Sequence, residues 1–472
     1  MKVNRFLTPK ITTEVPARIL MACMVIYCVG LVTFFASGRL ALPRAGLFLA
    51  LPFVLGVAVL RPEWTILIVV VLSPAVTPPG QATTLIMVAA MFGFLLQGRV
   101  RLGPATGVYP LLAIIALAIV HKFDAPSEAT TAADAALQIL SNYALLMLVA
   151  FHAAANGRVR IDTVINAILV GIVATAVSQP WLSKIESFGT VAQTPFHGPF
   201  TYLAVIGFGV TYVRISLGRS AGRGRSLLDA FLMLAFLFFT AISYNRTAWI
   251  AALSIFVLVS IWTAKKSFWI VSSLLLVLAL TVPVVGERIL PQGSAGISEP
   301  ERLARVTSGR SELWLELWKR GVDAPLLGPG WGYVWSLGSR DLFGVEGEFG
   351  TGPDDYIYPH NDFLYLFVEL GIVGLGLLVA FWLNLLRKTR LLSRSRNEST
   401  RYGVRVLVPV IITMFFVQLF ANGFANPSVA DRFFIVAGLV FGLHYVVRQR
   451  ERPGVIDSSS VRASQRVDVL GG

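Results

Sequence analysis

The sequence predicts an all-α fold, a polytopic transmembrane helical bundle of roughly 12 to 14 spans with one large external loop before the last three helices. Three observations carry that expectation. Of the 472 residues, 55% are hydrophobic and only 14% charged, with a mean hydropathy of +0.71, whereas soluble domains carry roughly 25% charged residues. The apolar residues fall in repeated runs close to the ~17 to 25 residues a helix needs to cross a bilayer, unlike the short alternating strands of a barrel. One polar stretch, 287–360, interrupts them.

In chain order the expected spans are 17–36, 45–60, 64–78, 80–97, 105–121, 135–154, 161–180, 198–216, 227–244, 247–264, 268–286, 361–386, 404–421 and 430–447. The second and third are short and are divided by Arg61, Pro62 and Glu63; proline removes a helical hydrogen bond and favours a break there. The chain thus divides into N-terminal transmembrane helices over 1–286, an extracytoplasmic loop over 287–360, C-terminal transmembrane helices over 361–447 and a tail over 448–472. The tail lacks periodicity and reads as disordered. No internal repeat of the transporter kind is visible by eye.

Orientation follows from the charges. Arg99 and Arg101, Arg158 and Arg160, Arg214 to Arg225, Lys265 and Lys266, Arg387 to Arg405 and the tail arginines all fall on one side of the predicted spans, together with Lys2, Arg5, Lys10 and Arg18. The positive-inside rule makes that side cytoplasmic, so both termini lie inside and the large loop outside a multi-pass inner (cell) membrane protein. The loop itself carries seven basic and eleven acidic residues, a net of −4. Arg39 and Arg44 do not fit the pattern. The net charge of +14 resides in these short connections, which argues against nucleic acid as a partner and for membrane lipids. Cys23 and Cys28 both lie in the first apolar run, so no disulfide framework is implied. The basic N-terminus resembles a signal peptide, but the spans that follow favour an uncleaved first helix.

Candidate chemistry collects around the loop. Residues 312–321 read as a short helix lying on the membrane surface, with Leu313, Trp314, Leu317 and Trp318 on one face and Glu312, Glu316, Lys319 and Arg320 on the other; such a helix serves either as a packing cap or as part of a site. Gly328, Gly330 and Gly332 follow closely, allowing a tight turn and a close backbone approach to a ligand, or simply a turn. His360 opens the next apolar helix beside Asn361 and Asp362. Its imidazole can take a proton from an acceptor hydroxyl, or the cluster can be an N-terminal cap in which Asn361 or Asp362 satisfies open amides. Glu369 stands about two turns into that helix in an otherwise apolar run, where an ionisable group needs a partner or a cavity. Arg246, in a turn of a few residues, offers a guanidinium fork for phosphate oxygens or snorkels to headgroups. Arg310 is a second candidate of the same kind.

The order of these words resembles the bacterial O-antigen ligase and O-antigen polymerase superfamily of polytopic glycosyltransferases. The resemblance rests on Asn245-Arg246-Thr247-Ala248-Trp249, then Gly309-Arg310 with a Trp-rich helix, then Pro325-Leu-Leu-Gly328-Pro-Gly330-Trp-Gly332, then Pro359-His360-Asn361-Asp362-Phe-Leu and Glu369-Leu-Gly371-Ile-Val-Gly374, and two final helices. It covers roughly residues 190 to 445. Membership implies transfer of a saccharide from an undecaprenyl-diphosphate carrier to a glycan or lipid-glycan acceptor on the outer membrane face. It implies inverting chemistry with no metal or other cofactor, and possible association with other polysaccharide-assembly proteins. Arg246 would grip the leaving diphosphate, His360 would act as base or orient the acceptor, and Glu369 would hold the site together. Where the family carries another upstream arginine this chain has His197, and His197, Lys184 or Arg310 would supply the missing group. A transporter or flippase of lipid-linked saccharides is the alternative of another class, and a non-catalytic membrane subunit a third.

Overall fold

A computed structural model of the chain describes residues 53–72, 81–100, 106–122, 130–186, 199–218, 223–243, 245–263, 310–337, 359–421, 423–424 and 426–451. The expected spans at 17–36 and 268–286, both cysteines, His197, most of the loop and nearly all of the tail lie outside them, as does the side chain of Lys184.

The described residues are helical, without a strand. A helix over 53–60 ends at Arg61, and α1 begins at Pro62 (Pro62–Leu72), so the break falls at the proline as expected. There follow α2 (Gln81–Leu96), α3 (Tyr109–His121), α4 (Thr130–Ala155), α5 (Ile161–Glu186), α6 (Pro199–Ser216), α7 (Arg223–Ile242) and α8 (Arg246–Thr263). From the loop come α9 (Arg310–Asp323) and the single turn α10 (Tyr333–Ser336). Three long helices close the chain: α11 (Asp362–Leu392), α12 (Glu398–Phe420) and α13 (Pro427–Arg450). Long windows of α4, α11, α12 and α13 are apolar enough to cross a membrane, and shorter apolar helices accompany them; the chain is a polytopic helical membrane protein.

In lipid, burial of apolar surface drives helices together only weakly, so close packing must come from small residues. The tightest seam is α4 against α13, where Gly438 lies on the Met147 carbonyl beside Ala150, and Gly442 on the Phe151 carbonyl beside Ala154. Any β-carbon at either glycine would collide with backbone. Ringed aromatics fill the neighbouring layer, with Trp382 stacked on Phe433 at 5.0 Å between centroids and its indole N–H donated to Gln418 at 2.7 Å.

The two ends of the bundle differ in chemistry. At one, Arg99 lies in the field of Arg158 and Arg61, and Lys388 in that of Arg448 and Arg387. At the other, α9, the start of α11 and the turns at 243–246 and 421–426 meet.

Candidate functional site

Tyr202, near the start of α6, is 6% exposed. Its hydroxyl accepts a hydrogen bond from the Asn245 side-chain amide at 3.1 Å and is bonded to Thr247. Asn245 in turn accepts from the Ala248 amide at 3.2 Å, capping α8, and Trp249 donates to the Thr240 carbonyl at 2.9 Å. The short turn carrying Arg246 is therefore pinned from three directions. Arg246 has little freedom to leave the end of the bundle.

Arg310, the first residue of α9, donates to the Phe420 carbonyl at 2.7 Å. Burial lowers its basicity, Tyr202 raises it and Arg246 lowers it again, so the two guanidiniums share one electrostatic neighbourhood. His360 shares it too: its imidazole is driven from 6.5 down to about 4, first by burial and then by the Arg310 charge. At neutral pH the ring is uncharged, with a lone pair to offer. The backbone at His360 is itself unusual, with φ of 53°, a left-handed conformation that a side chain adopts only under local constraint. The constraint is visible on both sides: Pro359 accepts the Trp314 indole N–H at 2.6 Å, and Asn361 caps α11 by accepting from the Leu364 amide at 2.9 Å.

Two expected caps thus separate into two roles. Asn361 satisfies its own helix, whereas Asp362, 4% exposed, reaches across to accept the Phe424 amide at 3.0 Å, and it also bonds Gly423 and Gln418. Tyr143 of α4 donates to the Phe424 carbonyl at 2.8 Å. The 421–426 turn, which follows directly on the Phe420 carbonyl that holds Arg310, is fixed by both.

Glu369 is fully buried, and its carboxyl oxygens accept from the Gly332 amide and, at 2.7 Å, from the Val334 amide. It fastens the glycine-rich turn to α11. The helix breaks just beyond it: Gly371 has φ 62° and ψ −160°, a region open to glycine alone. The break exposes the Glu369 carbonyl, which accepts from Gly330 at 3.2 Å, and the amides of Ile372 and Val373, which donate to Pro325 at 2.8 Å and Leu326 at 3.3 Å. Gly328 backs onto the Glu369 carbonyl and Gly371 onto Leu326. The close backbone approach expected of Gly328 and Gly330 is therefore made to the protein's own broken helix.

The expected surface helix is present, longer than the 312–321 anticipated, but it packs lengthwise along α11. Trp314 meets Pro359, Trp318 stacks on Phe367 at 4.9 Å, Gly321 faces Phe367 and Pro325 reaches Ile372. Its buried stripe is Leu313, Leu317 and Gly321, so Trp314 and Trp318 flank that stripe instead of forming it.

The structure thus brings Arg246, Arg310, His360 and Asn361 to one end of the bundle and sets Glu369, Gly328 and Gly330 beneath them as scaffold. Tyr202 joins the set without a comparable signal in the sequence, and Asp362, expected as a cap beside His360, joins it through the 421–426 turn.

Residues 231–379 match the O-antigen ligase family model, a segment that runs from α7 to the first half of α11 and includes Arg246, Arg310, His360 and Glu369. A protein of Salmonella typhimurium strain LT2 named O-antigen ligase is 26% identical over 249 residues, which cover 48% of this chain and 55% of that relative. The chain therefore aligns with about half the length of the relative it matches.

Proposed function

We propose that the chain, which matches the O-antigen ligase family over residues 231–379, belongs to the O-antigen ligase and polymerase superfamily and is a membrane glycosyltransferase of surface-polysaccharide assembly. In this reading it transfers a saccharide from an undecaprenyl-diphosphate carrier to an acceptor hydroxyl on the outer face of the cytoplasmic membrane. The observation that carries it is the meeting of two guanidiniums with a neutral imidazole at one end of an apolar bundle. A diphosphate leaving group gathers negative charge as the glycosidic C–O bond breaks, and fixed cations beside a low-dielectric medium stabilise that charge. In this reading Arg246 and Arg310 supply those cations.

The acceptor oxygen attacks the anomeric carbon from the side opposite the diphosphate, inverting the configuration in a single displacement without a metal. Its proton passes to His360. Burial is the larger cause of the depressed imidazole and the Arg310 charge the smaller; a bound diphosphate offsets the second and so raises the basicity of His360 by that part. The free site keeps the ring neutral and the loaded site gives it pull on the acceptor proton.

The test is reconstitution of the full chain in liposomes with a defined lipid-diphosphate oligosaccharide and a candidate acceptor. Sugar moved to a separate acceptor assigns ligase chemistry, and lengthening on the carrier assigns polymerase chemistry. Movement of intact lipid-linked sugar across the bilayer without a new glycosidic bond would replace the proposal by a flippase. Arg246→Ala should lower product formation by about 10² to 10³ and His360→Ala by about 10² to 10⁴, while the protein remains folded and inserted.

A further inference from the structure

We infer that α9 and the 324–330 turn stand at a divide between outer-leaflet acyl chains and a water-filled cleft, with one face of the loop helix in lipid and another in water. This does not rest on the glycosyltransferase reading. It begins with backbone accounting. Irregular chain within a bilayer is tolerated only when its amides and carbonyls are satisfied by protein, since no water is there to do so. At the Gly371 break each freed group named above finds a partner in the turn, and Glu369 is buried to take two further amides. A turn in water has no need of a carboxyl group at that cost.

Depth agrees. Asp362 is level with the 421–426 turn through its bond to Phe424, and Gly371 lies roughly 13 Å further along the helix at about 1.5 Å per residue. From Asp362 to the basic residues at Arg387 and Lys388 the same rise gives about 38 Å, against a hydrocarbon core of about 30 Å. The break and the turn stitched to it therefore fall within the outer half of the membrane.

The side chains agree as well. Val322 is 50% exposed, Leu326 69% and Leu327 43%; Leu326 and Leu327 adjoin the Gly371 break, and exposed apolar positions continue along α11 at Ile372, Val373, Val379, Leu383 and Leu386. That is an apolar band running down a membrane span, and acyl chains are its occupant. On α9 itself Glu312, Glu316, Lys319, Arg320 and Asp323 recur at helical spacing along another face. Arg320 there turns to the Tyr333 hydroxyl at 3.2 Å and to Glu316 at 3.4 Å. Lipid on one side and water on the other satisfies both faces at a single depth.

The experiment places single nitroxide labels on full-length protein in liposomes after Cys23→Ala and Cys28→Ala. Leu326→Cys and Val322→Cys should collide several-fold more with oxygen than with an aqueous nickel chelate, and Lys319→Cys should show the reverse. Nickel-dominated collisions at 326 and 322 would put the turn in water and overturn the inference; shielding of both from both reagents would put protein there and overturn it equally. Brominated lipid offers a label-free second reading, since the fluorescence lost on Trp318→Phe should be the lipid-quenched share. An unquenched Trp318 would count against the proposal even if the cysteine variants failed to fold.

Discussion

Arginines at the two ends of this bundle, Arg214 buried and Arg310 half-buried, meet opposite surroundings. Arg214, at the end of α6, pairs with Asp229 at 3.2 Å, with both side chains almost wholly buried, and donates to Asn166 at 3.2 Å. Arg310 donates to a backbone carbonyl and has Arg246 and His360 within its field. The first arginine is neutralised by a carboxylate and belongs to the framework. The second is held in place by a neutral dipole while its charge is opposed by that of Arg246, which is the condition for taking up an anion. Burial alone does not separate scaffold from site in a membrane; the sign of the neighbouring charge does.

The largest expected effects would break that contrast. Arg246→Ala and Arg310→Ala should each lower the rate of transfer by about 10² to 10³, the scale of removing one preorganised charge-stabilising group, with little loss of folded protein. Arg214→Ala should do the opposite, destabilising the fold by about 3 to 5 kcal/mol by leaving Asp229 buried and uncompensated, while transfer per folded molecule stays unchanged. Thermal unfolding in detergent alongside turnover measures both. If Arg214→Ala cut turnover without cutting stability, the division between the two ends would collapse.

A smaller effect sharpens the scaffold side. Glu369→Gln keeps one carbonyl acceptor for two amides and should cost about 1 to 3 kcal/mol, with Glu369→Ala costing more. Unfolding midpoints of the purified protein check the order. His360 supplies a pH test: with its imidazole at about 4 in the free site, kcat/KM should stay level from pH 8 down to 5 and fall only as the ring protonates near 4. A fall centred near 6.5 would mean an imidazole in an ordinary aqueous setting. Tyr202→Phe should be the mildest, removing one acceptor from Asn245 for about 1 kcal/mol, and should raise KM for the donor more than it lowers kcat if the hydroxyl aims the Arg246 turn.

The sequence made the fold class legible because hydropathy and charge act locally: each span announces itself, and Pro62 and Asn361 mark a break and a cap by their own chemistry. The order of Arg246, Arg310, His360 and Glu369 was legible for the same reason. What sequence could not convey was contact between distant segments. Asp362 reads as a capping residue until the 421–426 turn is placed beside it, and Tyr202 is one tyrosine in an apolar helix until Asn245 arrives. Gly371 sits in a run that reads as uninterrupted helix, and only the loop lying against it explains the break.

The glycine seam between α4 and α13 bears on the order in which the protein can mature. Tyr143 and Phe424 meet although 281 residues separate them, four residues beyond the Phe420 carbonyl that orients Arg310. A ribosome delivers α4 long before α13, so the early helices must wait in the membrane, half assembled, for the last one to dock against Ala150 and Ala154. Closure of the seam is therefore a late event of biosynthesis, and a chain halted before its final helix carries Arg246, Arg310 and His360 with their local anchors but without the helix that packs on Ala150 and Ala154.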